Sequence, residues 1–155
     1  MVKAYFLDTS AIVKKYMTEI GSYWIESITD LDLNNHIILA RVSWVETLSA
    51  FSRLRRDSKI DITLLNQSIQ VFKTDWETQY QIVEVEKYDI EVAGDLVQKY
   101  PLRAYDSIQL ACALKIYSVF AKTAPDSFIF VSADDRLLNA GKSEGLNSEN
   151  PNSHP

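Results

Sequence analysis

The chain has 155 residues, of which 46% are hydrophobic and 24% charged, and its net charge is −5. This is the make-up of one globular domain with a real core, and it is too short for two comfortable ones. The acidic balance excludes nucleic-acid binding by bulk charge alone, no apolar run reaches the roughly 20 residues that cross a bilayer, and one Cys beside two His excludes an internal disulfide and a Cys/His zinc site.

The opening Met1 to Asp8 is too short and too soon acidic for a signal peptide, and the single Cys112 fits a reducing cytosol, so a cytoplasmic location is expected. Val2–Leu7 is an apolar run that reads as a buried strand, with Asp8 at its end. Ser10–Tyr16 reads as a short helix that Asp8, Thr9 or Ser10 can cap, and Ser22–Ile28 as a second. Polar turn material spans 30–35, and His36–Arg41 is the next strand. A helix follows from Ser43 to about Asp57, then a longer one from Asp61 to near Gln79. Gln81–Val85 is a strand, Asp89–Tyr100 a helix, and Arg103–Phe120 another, apolar on most sides and therefore central. Phe128–Val131 is the fourth strand, and Asp134 to Gly145 the last helix. Strands alternating with helices imply a parallel sheet covered on both faces. The expected organisation is one domain over 1–146 and a short flexible tail over 147–155. No Gly-rich nucleotide loop occurs.

Four acids stand out: Asp8, Glu46, Asp106 and Asp134. Each has an ordinary structural role open to it. Asp8 and Asp134 can cap helices, and Asp106 can answer a helix dipole. Ser43-Trp44-Val45-Glu46 matches a capping box. Together they are harder to dismiss. A parallel sheet gathers its strand C-termini along one edge, which is where open α/β sheets keep their sites, and Asp8, Glu46 and Asp134 all lie just past strands. Asp106 sits in a helix whose neighbours Ile108, Leu110, Ala111 and Cys112 demand burial. Two like charges ~4 Å apart at an effective dielectric near 20 repel by roughly 4 kcal/mol. One or two Mg²⁺ or Mn²⁺ ions are the natural counter-charge for an all-oxygen set. Such ions can activate water and stabilise a leaving oxygen at a phosphodiester. Arg53 shares a helix face with Glu46, Arg103 is three residues before Asp106, and Lys14 and Lys15 follow Asp8, so these cations, with Arg55, Arg56 and Lys59, are candidates to grip phosphates.

The stretches around the four acids also carry a resemblance. Tyr5-Phe6-Leu7-Asp8-Thr9-Ser10-Ala11, Ser43-Trp44-Val45-Glu46-Thr47-Leu48, Arg103-Ala104-Tyr105-Asp106-Ser107-Ile108 and Phe130-Val131-Ser132-Ala133-Asp134 resemble, in order, the motifs of PIN-domain proteins of the VapC toxin type. The resemblance implies a three-layer α/β/α sandwich around a parallel sheet of four to five strands. It implies a metal-dependent endoribonuclease, the toxin of a type II toxin–antitoxin module, which dimerises and is silenced by a small antitoxin. By motif position Asp8, Glu46, Asp106 and Asp134 would carry the metal and Ser10 would assist, with Asp135 a neighbour of less certain role. The alternative is a catalytically idle PIN-like domain that binds a protein or RNA partner. A haloacid-dehalogenase-type phosphatase is disfavoured because Asp8-Thr9-Ser10 lacks the second Asp of Asp-x-Asp, and a phosphotransfer receiver because Glu84-Val85-Glu86 offers no clear acceptor.

Overall fold

A computed structural model describes residues 1–57 and 60–155. Five strands, β1 (Ala4–Leu7), β2 (His36–Ala40), β3 (Gln81–Val83), β4 (Phe128–Val131) and β5 (Ser148–Glu149), form one sheet in the order β3-β2-β1-β4-β5, with every described pairing parallel. The helices are α1 (Thr9–Tyr16), α2 (Ser22–Ile28), α3 (Ser43–Arg56), α4 (Ile62–Thr78), α5 (Lys87–Lys99), α6 (Ala104–Phe120) and α7 (Asp135–Ser143). The chain is thus the expected three-layer sandwich.

The period-2 geometry of strands builds the layers. Ala4, Phe6, Ile38, Ala40, Phe128 and Phe130 point to one face, where α5, α6 and α7 supply Ala93, Leu96, Leu110, Ala113 and Leu137. Tyr5, Leu7, Ile37, Leu39 and Val131 point to the other, where α1 to α4 supply Ile12, Ile25, Phe51, Leu65 and Phe72. Cys112 is a buried core residue on α6. Trp76 is core, and Trp44 packs against it.

Two differences from the sequence reading concern the ends of elements. The Ser43–Glu46 capping box does not form: Val42 occupies the cap position of α3, and no side chain caps it. Residues 147–155, expected as a flexible tail, carry β5 and a 3-10 turn at Pro151–Ser153. Pro151 is buried beside Gly21, and His154 stacks on Trp24 with centroids 4.4 Å apart and planes 8° from parallel. A two-residue strand leaves no alternating pattern to read. Lys59, one of the candidate cations, lies outside the described residues. Among the described residues no helix is long and apolar enough to cross a membrane.

Candidate active site

The strand order reverses direction at β1, with β2 on one side and β4 on the other. That switch point opens a crevice beyond the strand C-termini. The register pairs Leu7 with Val131, so Asp8 and Ser132 leave the sheet side by side, and the Asp8 N–H donates to the Val131 carbonyl at 3.0 Å. Asp8 is only 4% exposed. It caps α1, accepting from the Ala11 N–H at 3.0 Å on Oδ1, and the same oxygen takes the Ser10 hydroxyl at 2.7 Å. Ser132 donates to Oδ2 at 2.7 Å and accepts from the Asp134 N–H at 3.0 Å. The cap reading of Asp8 is thus observed, and the same side chain lies at the sheet edge where a site is expected.

Burial pushes the Asp8 carboxyl up to about 7; the charge of Asp106 adds to this, while Ser10, Ser132 and the Ala11 N–H oppose it. Burial also raises Glu46, on the first turn of α3, against hydrogen bonds from Gln109 and Thr9, and the charge of Asp106 adds to it again. Asp106, on the first turn of α6, is raised by burial and then by the charge of Asp134, while Arg103 works in the opposite sense. Asp8, Glu46 and Asp134 are each an electrostatic neighbour of Asp106.

Asp134 caps α7, accepting from the Arg136 N–H at 2.9 Å, whereas Asp135 is exposed and takes a hydrogen bond from Asn150 at 2.9 Å. Of this pair, Asp134 is the one beside Asp106.

A cleft of about 340 Å³ opens beside two of the acids, Glu46 and Asp106, and is lined also by Thr9, Val45, Ser49, Arg53, Arg103, Ala104 and Tyr105; Asp8 and Asp134 are not in its lining. Arg53 and Arg103 stand on it as expected, and the Arg103 side chain is 85% exposed with Nε 3.8 Å from Asp106. The lysines are elsewhere. Lys14 is buried, bonded to Glu19 at 3.1 Å and to the Ile20 carbonyl at 2.9 Å, so it braces the link between α1 and α2. Lys15 is held by Asp75 at 2.9 Å and Gln79 at 2.8 Å. Ser10 is spent within the site's frame: it holds Asp8 and accepts from the Ala133 N–H at 2.9 Å.

Two further side chains hydrogen-bond the candidate acids and are not singled out by the sequence reading. Ser132 holds Asp8 from β4. Gln109, one turn past Asp106, donates its amide to Glu46 at 3.0 Å and Ser43 at 2.9 Å. Gln109 was the polar exception in a run of buried apolar residues, which is the signal that could have marked it.

The donor set is all carboxylate and hydroxyl oxygen, the chemistry of a hard divalent cation. Three of its carboxyls are raised by burial and neighbouring negative charge, which a cation would relieve. Among the described residues no three acidic, His or Cys side chains close into a ready-made cage. The donor chemistry fits a hard divalent cation, and the grouping of the side chains does not by itself complete a site for one.

A family model described as PIN domain matches residues 5–142. No curated protein gives a significant match. The fold is similar to a crystal structure of VapBC2 from Rickettsia felis bound to a DNA fragment from their promoter, with a TM-score of 0.59 at 14% identity over 95% of this chain and 98% of that one. It is similar also to PAE2754 from Pyrobaculum aerophilum, with a TM-score of 0.59 at 17% identity over 95% of this chain and 83% of that one.

Proposed function

The chain belongs to the PIN-domain family, and on that premise we propose that it is a Mg²⁺- or Mn²⁺-dependent endoribonuclease, the toxin half of a type II toxin–antitoxin pair. The observation that carries the reading is Asp8: a carboxyl buried at the sheet's switch point, held by three hydrogen bonds, and pushed up to about 7 by burial and by the nearby acids. A structural cap has no use for such repulsion, since an exposed Asp caps a helix equally well.

In this reading Asp8, Glu46, Asp106 and Asp134 hold the metal, one or two ions. When bound, the metal supplies an activated water and charge stabilisation at the phosphorus. The remaining work falls to the protein. Ser10 and Ser132 fix both oxygens of Asp8 so that its direction does not wander. Arg53 and Arg103 flank the cleft and bind backbone phosphates, which offsets the net acidity of the chain. Tyr105 is 56% exposed on the cleft beside Val45, and these two offer an apolar face to a base.

A small antitoxin that covers the cleft, a homodimeric state and a cytoplasmic location complete the reading. The likeness to VapBC2 supports the antitoxin. Exposed apolar side chains, Leu64 and Val71 on α4 and Ile90 and Val97 on α5, supply surface for a partner or second copy.

The test is cleavage of mixed-sequence RNA by the purified protein, with Mg²⁺ or Mn²⁺ and with EDTA, beside Asp8→Asn. Cleavage that needs metal and is lost in Asp8→Asn is the expected result. Cleavage indifferent to both overturns the mechanism. No cleavage at all, with tight binding of a protein or RNA partner, favours the idle module.

A further inference from the structure

Gln109 is 2% exposed, and its side chain reaches from α6 past the edge of the sheet to the first turns of α1 and α3. Its Nε2 is 3.0 Å from Glu46 Oε1, 2.9 Å from Ser43 Oγ and 3.3 Å from Thr9 Oγ1. Its Oε1 is buried with no hydrogen-bond partner among the described residues. An amide carries two N–H donors, and here both are committed to one side while the carbonyl goes unmet.

An orphaned buried carbonyl is costly, and an amide usually turns over to avoid it. Here it cannot. Turning it would offer Oε1 to the hydroxyls of Ser43 and Thr9, but it would also set an acceptor against the Glu46 carboxylate. The arrangement serves the carboxylate at the expense of the amide's own carbonyl. Unsatisfied polar groups of this kind ask for an explanation, and a functional one is available.

Resting on the metal-nuclease reading, we infer that Gln109 is a positioning residue, which aims Glu46 at the metal through its Nε2–Oε1 hydrogen bond. Glu46 has a flexible side chain on the first turn of α3, and Ser43 does not restrain it, because the capping box is not formed. Gln109 restrains it instead. Outer partners of this sort fix a ligand's direction, and their loss weakens metal binding by about 10–100-fold.

The experiment is Mn²⁺ binding by calorimetry, with Mn²⁺ alone as the probe, on the full chain. Gln109→Met keeps the side chain's length and removes its donors; a loss of about 10-fold or more in Mn²⁺ affinity is expected. Gln109→Asn leaves an amide in the core but withdraws it from Glu46 by one methylene, and the same loss is expected, so the test survives a Met variant that fails to fold. Cys112→Ala makes a similar small change in the packing of α6 without touching the hydrogen bonds of Gln109, and Mn²⁺ affinity within about threefold of wild type is expected. In a Glu46→Gln background, Gln109→Met should weaken Mn²⁺ no further. Gln109 variants that bind Mn²⁺ like the wild type overturn the inference and leave the nuclease reading standing. An equal loss in Cys112→Ala also overturns it, because packing alone would then explain the effect. A wild-type protein that takes up no Mn²⁺ removes the metal reading and this inference with it.

Discussion

Ser132 and Asp8 are 124 residues apart in sequence and joined by a 2.7 Å hydrogen bond, from the Ser132 hydroxyl to the second oxygen of a buried carboxylate. The bond exists because β1 and β4 pair in parallel with Leu7 opposite Val131, which brings the next residue of each strand together. It links the two halves of the site before any ligand arrives.

Ser132→Ala should therefore be sensitive to pH. A hydrogen bond to a charged group is worth about 1.5–3 kcal/mol, and the charged form of Asp8 is the one that Ser132 serves. In metal-free buffer the variant should lose about 1–3 kcal/mol at pH 8 and less at pH 5, where Asp8 is protonated. Urea unfolding at the two pH values measures it. An equal loss at both would mean that the hydroxyl supports the fold in another way.

The wild-type protein should behave unusually for an acid-rich chain. Asp8 has its folded value raised to about 7 from an ordinary 3.8. Between these values the folded state binds the proton and the unfolded state releases it, so stability falls as pH rises. The contribution is fully lost above about pH 7 and is on the order of a few kcal/mol. Glu46 and Asp106 are raised too, and act in the same direction. Thermal unfolding in EDTA should thus show a higher Tm at pH 5.5 than at pH 7.5. Millimolar Mg²⁺ should raise the Tm at pH 7.5 and narrow the difference.

Asp8→Asn should separate stability from function. It removes a charge that burial disfavours while keeping an oxygen for the Ala11 N–H. In EDTA at pH 8 the variant should match or exceed the wild type in Tm, yet lose RNA cleavage by at least about 100-fold. A variant that is both inactive and badly destabilised would speak for a structural carboxylate instead.

The cleft's cations should act on substrate and leave the fold alone. Arg103 is 85% exposed, and an exposed ion pair such as Arg103–Asp106 adds little to stability. Arg103→Ala and Arg53→Ala should each leave Tm within about 2 °C, raise KM about 3–10-fold, and make the rate less dependent on salt. Lys14→Ala is the contrast: its amine is buried between Glu19 and the Ile20 carbonyl, so the substitution should lower Tm without a specific effect on KM.

Gly21 tests the docked C-terminal segment. Its φ is +87°, and a Cβ there would sit 2.5 Å from the Pro151 carbonyl oxygen. Gly21→Ala should cost on the order of 1–3 kcal/mol from the left-handed backbone alone, and should loosen the contact with Pro151. Trp24, stacked on His154, reports the loosening: its fluorescence should change in Gly21→Ala before the global transition.

Most of the scaffold was readable along the chain. Phe128–Val131 and Ser22–Ile28 form over the residues that their patterns mark, because a short apolar strand and a helix opened by glycine depend on near neighbours. Asp8 and Asp134 were readable for the same reason: each follows an apolar run and opens a helix, and both facts are local. β5 was not, since Ser148 and Glu149 form a strand only because β4 offers them an edge.

The site divides along the same line. Residue type and spacing were enough to place Asp8, Glu46 and Asp134 just past strands that share an edge, to mark Asp106 as a carboxylate in an apolar helix, and to mark Arg53 and Arg103 as cations near them in the chain. Nothing in the chain told Lys14 from Arg53, or Ser43 from Gln109 as the partner of Glu46. Those choices were made by the parallel register and by the closing of the two helical layers on either face of the sheet, which decides which long side chains reach the crevice and which are buried on the way. Periodicity is a property of consecutive residues and can be read from them, whereas a hydrogen bond between Gln109 and Glu46 spans 63 positions and exists only once the layers have closed.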